Sequence, residues 1–521
     1  MEKSSRESKK LGKRRYLKYG RTAMIYDFVI IGAGITGTII ARELSRYKVK
    51  ILLAEKENDV SMGATKANSA IVHGGYDDKH GTLKSKLCYK GRLSFEKYNS
   101  ELNFGYRKTG SLVVGFNEED RETLYNIYEN GLKNGVDDIR ILEQKEILEM
   151  EPALNPEIKY ALYCEGAGVC SPYEFAIALA ENAVENGTVL KLNSKVTDIK
   201  KCGDYNYNVT YEENINGRAE NNTVSTRYVI NAAGIYSDVI SETVNKKNFT
   251  INPRKGEYIL FARDTGNILN NVIFQTPSKL GKGVLVTSTY HGNLLIGPDA
   301  QNDSGREDTG TEKENLEQIL KRAEHVTKEF DLKTFIRTFS GLRAAADTGD
   351  FIIEETESKG FINAAGIQSP GLTSSPAAAE VIIEIIKNSG FELMEKDNFN
   401  PYRKPLIKKK TKEDMLSVQE VNRLLESEIP EEKIICRCEQ VTEKTILDSL
   451  RRGIRVTSTD GVKRRTRAGM GWCQGSFCRE RVREIIEKEY GISVNSNEDV
   501  QNSGINRVGK TELGKQSFWN I

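Results

Sequence analysis

The 521-residue sequence predicts a chain of α/β and α+β class. A Rossmann-like dinucleotide-binding domain is interleaved with an antiparallel-sheet domain, and a small helical unit follows. Three observations predict this. Near the start, an apolar strand runs into Gly32-Ala33-Gly34-Ile35-Thr36-Gly37 and then into a helix. A strand, glycine loop and helix recur at 360–390, with short alternating segments in between. Four cysteines then gather near the C-terminus.

The first unit spans residues 26–57. "YDFVII" is a nearly continuous apolar run, as a strand buried on both faces requires. The helix after the glycines carries Ile39, Ile40 and Leu44 on one face, and "VKILLAE" returns as a second strand. Together they make a βαβ unit. G-x-G-x-x-G alone is a weak signal. Here it follows a strand, opens a helix and is followed by Glu55 at the end of the next strand, which makes it a dinucleotide fingerprint. Gly32, Gly34 and Gly37 permit the tight turn and let the backbone approach a pyrophosphate, while the helix N-terminus offers free N–H groups. Glu55 accepts both ribose hydroxyl protons and repels a 2′-phosphate.

Segments such as "GSLVVGF", "EYILFAR" and "NLLIGPD", within 101–165 and 246–340, predict antiparallel strands. Between them "PYEFAIALAENAVENG" (172–187) predicts an amphipathic helix, and "VLKLNSKVTDIK" and "RYVINAAG" predict strands of the first style. The repeated "INAAGI" (230–235 and 362–367) predicts two strand ends facing one ligand crevice. The later glycine element, "GIQSPGLTSSPAAAE", sets Gly371, Leu372 and Thr373 at a helix start over 330 residues after the first. Two distant grips suit FAD, whose adenosine and ring ends lie far apart, better than NAD. A helix N-terminus at the ring would also stabilise negative charge on the reduced flavin. The small residues of "MGATKANSAIVHGG" (62–75) let the backbone run close to a flat ring.

With these stretches the sequence resembles the D-amino-acid-oxidase-like FAD enzymes. Within them it is similar to the glycerol-3-phosphate and L-2-hydroxyglutarate dehydrogenase branch. The matching stretches are "IIGAGITG", "NSAIVHGG", "KTGSLVVGF" with Lys108 in place of arginine, "PRKGEY", "HGNLLIGPDA", "SGLRAAAD" and "AAGIQSPGLTSSPA", spread over residues 26–388. The cofactor-binding set that this resemblance implies is Gly32, Gly34, Gly37, Glu55, Thr65, Ser69, Val196, Gly234, Gly371, Leu372 and Thr373.

Cys436-x-Cys438 and Cys473-x₄-Cys478 form two close pairs, able to hold Zn²⁺ or an iron–sulfur cluster. The tight C-x-C chelate and the flexible "GMGWCQGSFC" loop favour a cluster with inorganic sulfide over zinc. The basic run "KRRTRAG" (463–469) is expected to offset the cluster's negative charge. This unit resembles the bacterioferritin-associated-ferredoxin-like [2Fe-2S] domain, which is found appended to several flavin dehydrogenases. A flavin takes two electrons and releases them singly, and a [2Fe-2S] centre takes one, so the unit is expected to be an electron exit. Cys88, Cys164, Cys170 and Cys202 show no ligand spacing and read as ordinary reduced thiols.

Hydride transfer from a carbon bearing OH or NH₂ needs a base for the remaining proton. Of four histidines, His73 and His291 lie in family-like motifs and either is a candidate base, against a structural role for each. His80 and His325 lie in a polar loop and on a helix surface and are set aside. Arg343, in "SGLRAAAD", is by resemblance the anchor of a substrate anion, held in bidentate fashion. Arg254 and Lys255, in "NPRKGEY", are weaker candidates for that anchor, against a role as supports of the domain junction. The expected reaction is oxidation of sn-glycerol 3-phosphate to dihydroxyacetone phosphate. The alternatives are a 2-hydroxy acid or secondary amine acid as substrate, or an electron-transfer subunit without catalysis.

A net charge of +2 argues against nucleic acid, and no apolar run reaches 18 residues. The expected partners are a small phosphate- or carboxylate-bearing substrate and an electron-accepting flavoprotein. The expected location is cytoplasmic, with peripheral association on the inner face of a membrane through that partner. Residues 1–23 hold nine Lys/Arg and no apolar stretch, so they read as a disordered leader before Met24, with a lipid-binding arm as the alternative. The oxidoreductase is expected over 24–402, with FAD-binding parts at about 24–100, 166–245 and 341–402 and the substrate domain at about 101–165 and 246–340. A charged linker (403–432), the cysteine unit (433–491) and a polar tail (492–521) complete the chain.

Overall fold

The computed structural model describes residues 25–215, 218–277, 283–302, 304–405, 407 and 414–494. The basic segment 1–23 and the greater part of 492–521 lie outside the described residues. No helix among the described residues is long and apolar enough to cross a membrane.

The strand Ile25–Ile31 lies at the centre of a sheet, parallel to Ile51–Ala54 on one side and to Arg218–Asn231 on the other. Val189–Lys191 and Phe361–Ala365 extend the parallel set at its two ends. The period of two in a strand explains the unbroken apolar run. Phe28 and Ile30 face one core, with the helices Ile35–Leu44, Pro172–Glu185 and Gly371–Asn388. Val29 and Ile31 face another, against Val196, Ile199, Tyr207 and Val209 of the antiparallel strands Ser194–Gly203 and Asn206–Ile215. Each fully buried Val or Ile contributes roughly 1.5–3 kcal/mol, so a polar residue in this run would break one core or the other.

The second sheet has eight strands, in the order Phe335–Ala346, Ile251–Arg263, Asn293–Gly297, Leu285–Ser288, Val272–Gln275, Ser111–Gly115, Tyr160–Cys164 and Ile139–Glu143. All its pairings are antiparallel except that of Val272–Gln275 with Ser111–Gly115. The helix Lys313–Val326 covers it through Leu316, Ile319, Leu320, Ala323 and Val326, spaced three and four apart. The strand Phe335–Ala346 pairs with Ile251–Arg263 on both sides of residue 341, where the sequence reading divides the two domains. Arg343 therefore belongs to the second sheet.

The cysteine unit has its own core of Ile435, Val441, Ile446, Leu450, Val462, Val482 and Ile486. A short hairpin, Ile434–Cys436 with Val441–Thr442, precedes the helices Glu443–Leu450, Thr459–Thr466 and Arg479–Tyr490. The charged stretch before it contains a helix, Val418–Leu424, started by a capping box between Ser417 and Glu420.

Candidate functional site

The dinucleotide turn lies where the strand Ile25–Ile31 ends. Gly32 has φ +98°, and a Cβ there would lie 2.5 Å from the Ala232 carbonyl oxygen. A Cβ on Gly37 would lie 1.9 Å from the Gly32 carbonyl oxygen, so the helix crosses its strand only because that atom is missing. Gly34 has ordinary backbone angles, and a Cβ on it would meet only Thr65 Oγ1, at 3.3 Å. The space beside Gly34 is open, as a pyrophosphate requires. The Ile35 amide donates to Thr65 Oγ1 at 3.0 Å, which ties the segment 62–75 to the helix N-terminus.

Glu55 is buried, and its two oxygens accept from the Ala33 amide (2.7 Å) and the Glu57 amide (3.0 Å). Burial pushes its carboxyl up and the two amides oppose this. The carboxylate is thus fixed at the turn, with further acceptor capacity on each oxygen. Val196 is buried across the sheet, and Gly234 has φ +57° with open space where a Cβ would be.

The second glycine element closes on the first. Thr373 is fully buried at the start of the helix Gly371–Asn388, and its Oγ1 accepts from the His73 amide at 2.9 Å and donates to the Ile71 carbonyl at 3.3 Å. Leu372 is half-buried beside it, and Gly371 packs on Ile367. His73 Nε2 lies 3.5 Å from Ser369 Oγ, and its ring is 5.9 Å from that of Phe274 in the second sheet. Ser69 Oγ lies 3.4 Å from the Tyr258 hydroxyl of that sheet.

The second sheet presents two guanidinium groups. Arg254 and Arg343 are directly opposite each other in register. Gly256 and Gly341 form the cross-strand pair two residues along, so all four share one face. A Cβ on Gly256 would lie 2.4 Å from Arg343 Nη2, and one on Gly341 would lie 1.9 Å from the Ala67 carbonyl oxygen. The glycines make room for the guanidinium and for the 62–75 segment. Among the described residues Arg343 donates only to main-chain carbonyls, those of Asp299 (3.2 Å) and Lys255 (3.5 Å). Arg254 Nε is buried and makes no hydrogen bond among the described residues. Burial and the neighbouring Arg343 both lower the Arg254 pKa. Lys255 is different: it is buried against Asp308 (2.8 Å), Glu257 and Glu312.

His291 lies against a carboxylate. It is buried, and its Nε2 lies 2.6 Å from Glu174 Oε1, which also accepts from Ser171 Oγ at 2.8 Å. Burial lowers its pKa, Arg467 lowers it further and Glu174 opposes them. A carboxylate only accepts, so the neutral ring carries its proton on Nε2. His80 is bonded to Asn134 and His325 is stacked on Phe116.

The four clustered cysteines gather in two pairs. Cys438 Sγ and Cys473 Sγ are 3.6 Å apart. A hydrogen bond from the Cys478 thiol holds Cys436 down to about 6 and pushes Cys478 up in return. The Gly469 amide also donates to Cys436 Sγ, at 3.4 Å. Among the described residues no three His, Cys, Asp or Glu side chains form a single-ion site. Two pairs are the arrangement that two irons, each with two thiolates, would use. Cys88, Cys164, Cys170 and Cys202 form no disulfide among the described residues.

The basic run before the second pair has another task. Arg464 and Arg465 reach away from the cysteines to Asp59, just beyond Glu55, at 2.7 Å and 2.6 Å, and Arg464 also donates to the Val60 carbonyl at 2.6 Å. Arg467 pairs with Glu439 at 2.8 Å. Asp59 and the Glu174–His291 pair carry no signal in the sequence, because their partners lie more than a hundred residues away. The spacing of Arg254 and Gly256 against Gly341 and Arg343 could have suggested a cross-strand pair, given the register.

The sequence family described as "FAD dependent oxidoreductase" matches residues 27–385. The chain belongs to this family. A second match, to the "BFD-like [2Fe-2S] binding domain", covers residues 434–488. The oxidoreductase is 46% identical over 471 residues to a glycerol 3-phosphate dehydrogenase of Caloramator mitchellensis, covering 90% of this chain and 95% of that one. It is 33% identical over 381 residues to a glycerol 3-phosphate oxidase of Mycoplasma genitalium, covering 72% and 97%. The FAD-bound L-alpha-glycerophosphate oxidase of Mycoplasma pneumoniae superposes with a TM-score of 0.68 at 30% identity, over 73% of this chain and 98% of that one. The oxidoreductase thus combines an FAD domain with a [2Fe-2S] binding domain, as the cysteine spacing and the two glycine elements lead one to expect.

Proposed function

We propose that this oxidoreductase converts sn-glycerol 3-phosphate to dihydroxyacetone phosphate and exports the electrons one at a time through its C-terminal domain. The observation that carries the substrate reading is the pair Arg254 and Arg343. Two guanidinium groups face each other on one sheet face with no acidic side chain against either among the described residues, and one has a buried nitrogen lacking a partner among them. Such a pair is costly alone and is stabilised by a dianion that takes hydrogen bonds from both. The relatives named for glycerol 3-phosphate support a phosphate as that anion.

Bound FAD supplies the two-electron acceptor for the hydride of the substrate carbinol carbon. Gly32, Gly34, Gly37 and the amides of the following helix fit its pyrophosphate, and Glu55 fits a ribose. Thr373 clamps the backbone of His73, so the imidazole has a fixed place at the meeting of the two sheets. His73 takes the hydroxyl proton on Nε2 as the hydride leaves carbon. Arg343 and Arg254 hold the phosphate and so fix the distance from anion to reacting carbon. Tyr258, Phe274 and the 62–75 segment exclude water.

Anaerobic addition of sn-glycerol 3-phosphate should bleach the flavin band, while L-2-hydroxyglutarate, glycine and proline leave it unchanged. Bleaching by a carboxylate and not by the phosphate would overturn the substrate.

A further inference from the structure

We propose that the outer edge of the cysteine unit is the docking face for a separate, acidic one-electron carrier protein. The inference rests on the reading that Cys436, Cys438, Cys473 and Cys478 hold a [2Fe-2S] cluster, and it says where electrons leave.

The four cysteines are unequally exposed. Cys436 and Cys478 are 1% and 2% exposed, whereas Cys438 and Cys473 are half-buried. The outer pair therefore marks the side with least protein between the centre and another molecule. Gly471 packs so closely that a Cβ would lie 2.3 Å from that of Cys438. Each cysteine of the loop is directly preceded by an exposed aromatic: Trp472, 53% exposed, before Cys473, and Phe477, 74% exposed, before Cys478. Large exposed rings beside a reactive centre are the usual anchors of a protein interface.

Charge selects the partner. Arg437 sits exposed between Cys436 and Cys438, and Arg479 and Arg481 are exposed just after Cys478. Arg479 reaches back over the loop, its Nε 3.7 Å from where a Cβ on Gly475 would be. Glu480, the acid between the last two, is engaged by Arg483. A cationic rim around two aromatics complements an acidic surface and speeds encounter with it. A second copy would set the same arginines against each other across a two-fold axis, which disfavours self-association.

The test is binding to the full-length protein loaded with FAD and cluster, measured by calorimetry with flavodoxin and with a plant-type ferredoxin as acidic probes. Cytochrome c serves as the basic control. Wild type is expected to bind at least one acidic carrier and not the basic one, with affinity falling about tenfold or more between ~0.05 and ~0.5 M salt. Phe477→Ser and Arg437→Glu are expected to weaken binding about tenfold each. Arg481→Glu, farther from the thiols, should weaken it less. Iron content, sulfide content and substrate bleaching of the flavin stay at wild-type values. Failure of both acidic carriers to bind, unchanged binding in all three variants, or equal binding of cytochrome c would overturn the proposal. So would concentration-dependent self-association that Phe477→Ser abolishes, which would assign the face to a second copy. Wild type without iron would instead overturn the cluster reading, before any binding is measured.

Discussion

Asp59 and Arg465 form a doubly hydrogen-bonded ion pair, Oδ2 to Nη1 at 2.6 Å and Oδ1 to Nη2 at 2.8 Å, with both residues buried. The pair joins the cysteine unit to the loop of the dinucleotide turn, since the Ser61 amide donates to the Ala33 carbonyl at 2.9 Å. One carboxylate thus links the segment that grips the cofactor to the domain that follows it by some four hundred residues.

Asp59→Asn should undock the cysteine unit. Breaking a buried pair costs about 3–5 kcal/mol. Arg464 and Arg465 would lose their nearest counter-charge and keep only Asp460 at 3.2 Å and Glu181 at 3.9 Å. Protease cleavage before residue 418 is expected to accelerate, while substrate still bleaches the flavin. Burial alone would raise the Asp59 carboxyl, but Arg465 and Arg464 hold it below the usual carboxylate range. The stabilisation is full above the unfolded value of about 3.9 and is lost as pH falls through the depressed folded value. Protease protection followed from neutral pH downward should therefore persist to about pH 4 and fail below it.

Gly34→Ala separates folding from cofactor binding. A Cβ there meets only Thr65 Oγ1, so the melting temperature should stay within a few degrees of wild type. The methyl group would stand where the backbone must approach the pyrophosphate, so FAD should be held about tenfold more weakly or worse. Fluorescence titration of the apoprotein with FAD gives the affinity.

The dinucleotide turn was legible in sequence because its constraints are local: two glycines whose Cβ atoms would strike backbone, and a carboxylate one strand later. The cysteine unit was legible for the same reason. Arg343 could be singled out by resemblance and Arg254 as a weaker candidate, but that the two face each other could not, because strand register decides it. The run "KRRTRAG" read as counter-charge for a cluster, and three of its members are instead engaged by Asp59 and Glu439. Both histidines sit in suggestive motifs; only packing reveals that His291 is paired with Glu174, more than a hundred residues away.

Arg343→Lys replaces a planar fork by a point charge and should lower kcat/KM for sn-glycerol 3-phosphate by about 10- to 100-fold, the worth of one or two charge-assisted hydrogen bonds. Arg254→Lys should act in the same direction and, because the two groups share one anion, the double variant should lose less than the product of the singles. Steady-state kinetics on the three variants checks this.

Cys473→Ser should spare reduction of the flavin by substrate and stop delivery to a one-electron dye that depends on the cluster. Stopped-flow absorbance with and without the dye separates the two steps. Loss of both steps in a folded variant would place the cluster before the flavin.

The most direct measurement is a cofactor count on protein purified and reconstituted without air. Two irons and two sulfides per cluster, one cluster and one FAD per chain, are the result the account requires. Zinc in place of iron, absence of acid-labile sulfide, or a chain that never takes up a yellow chromophore would contradict it.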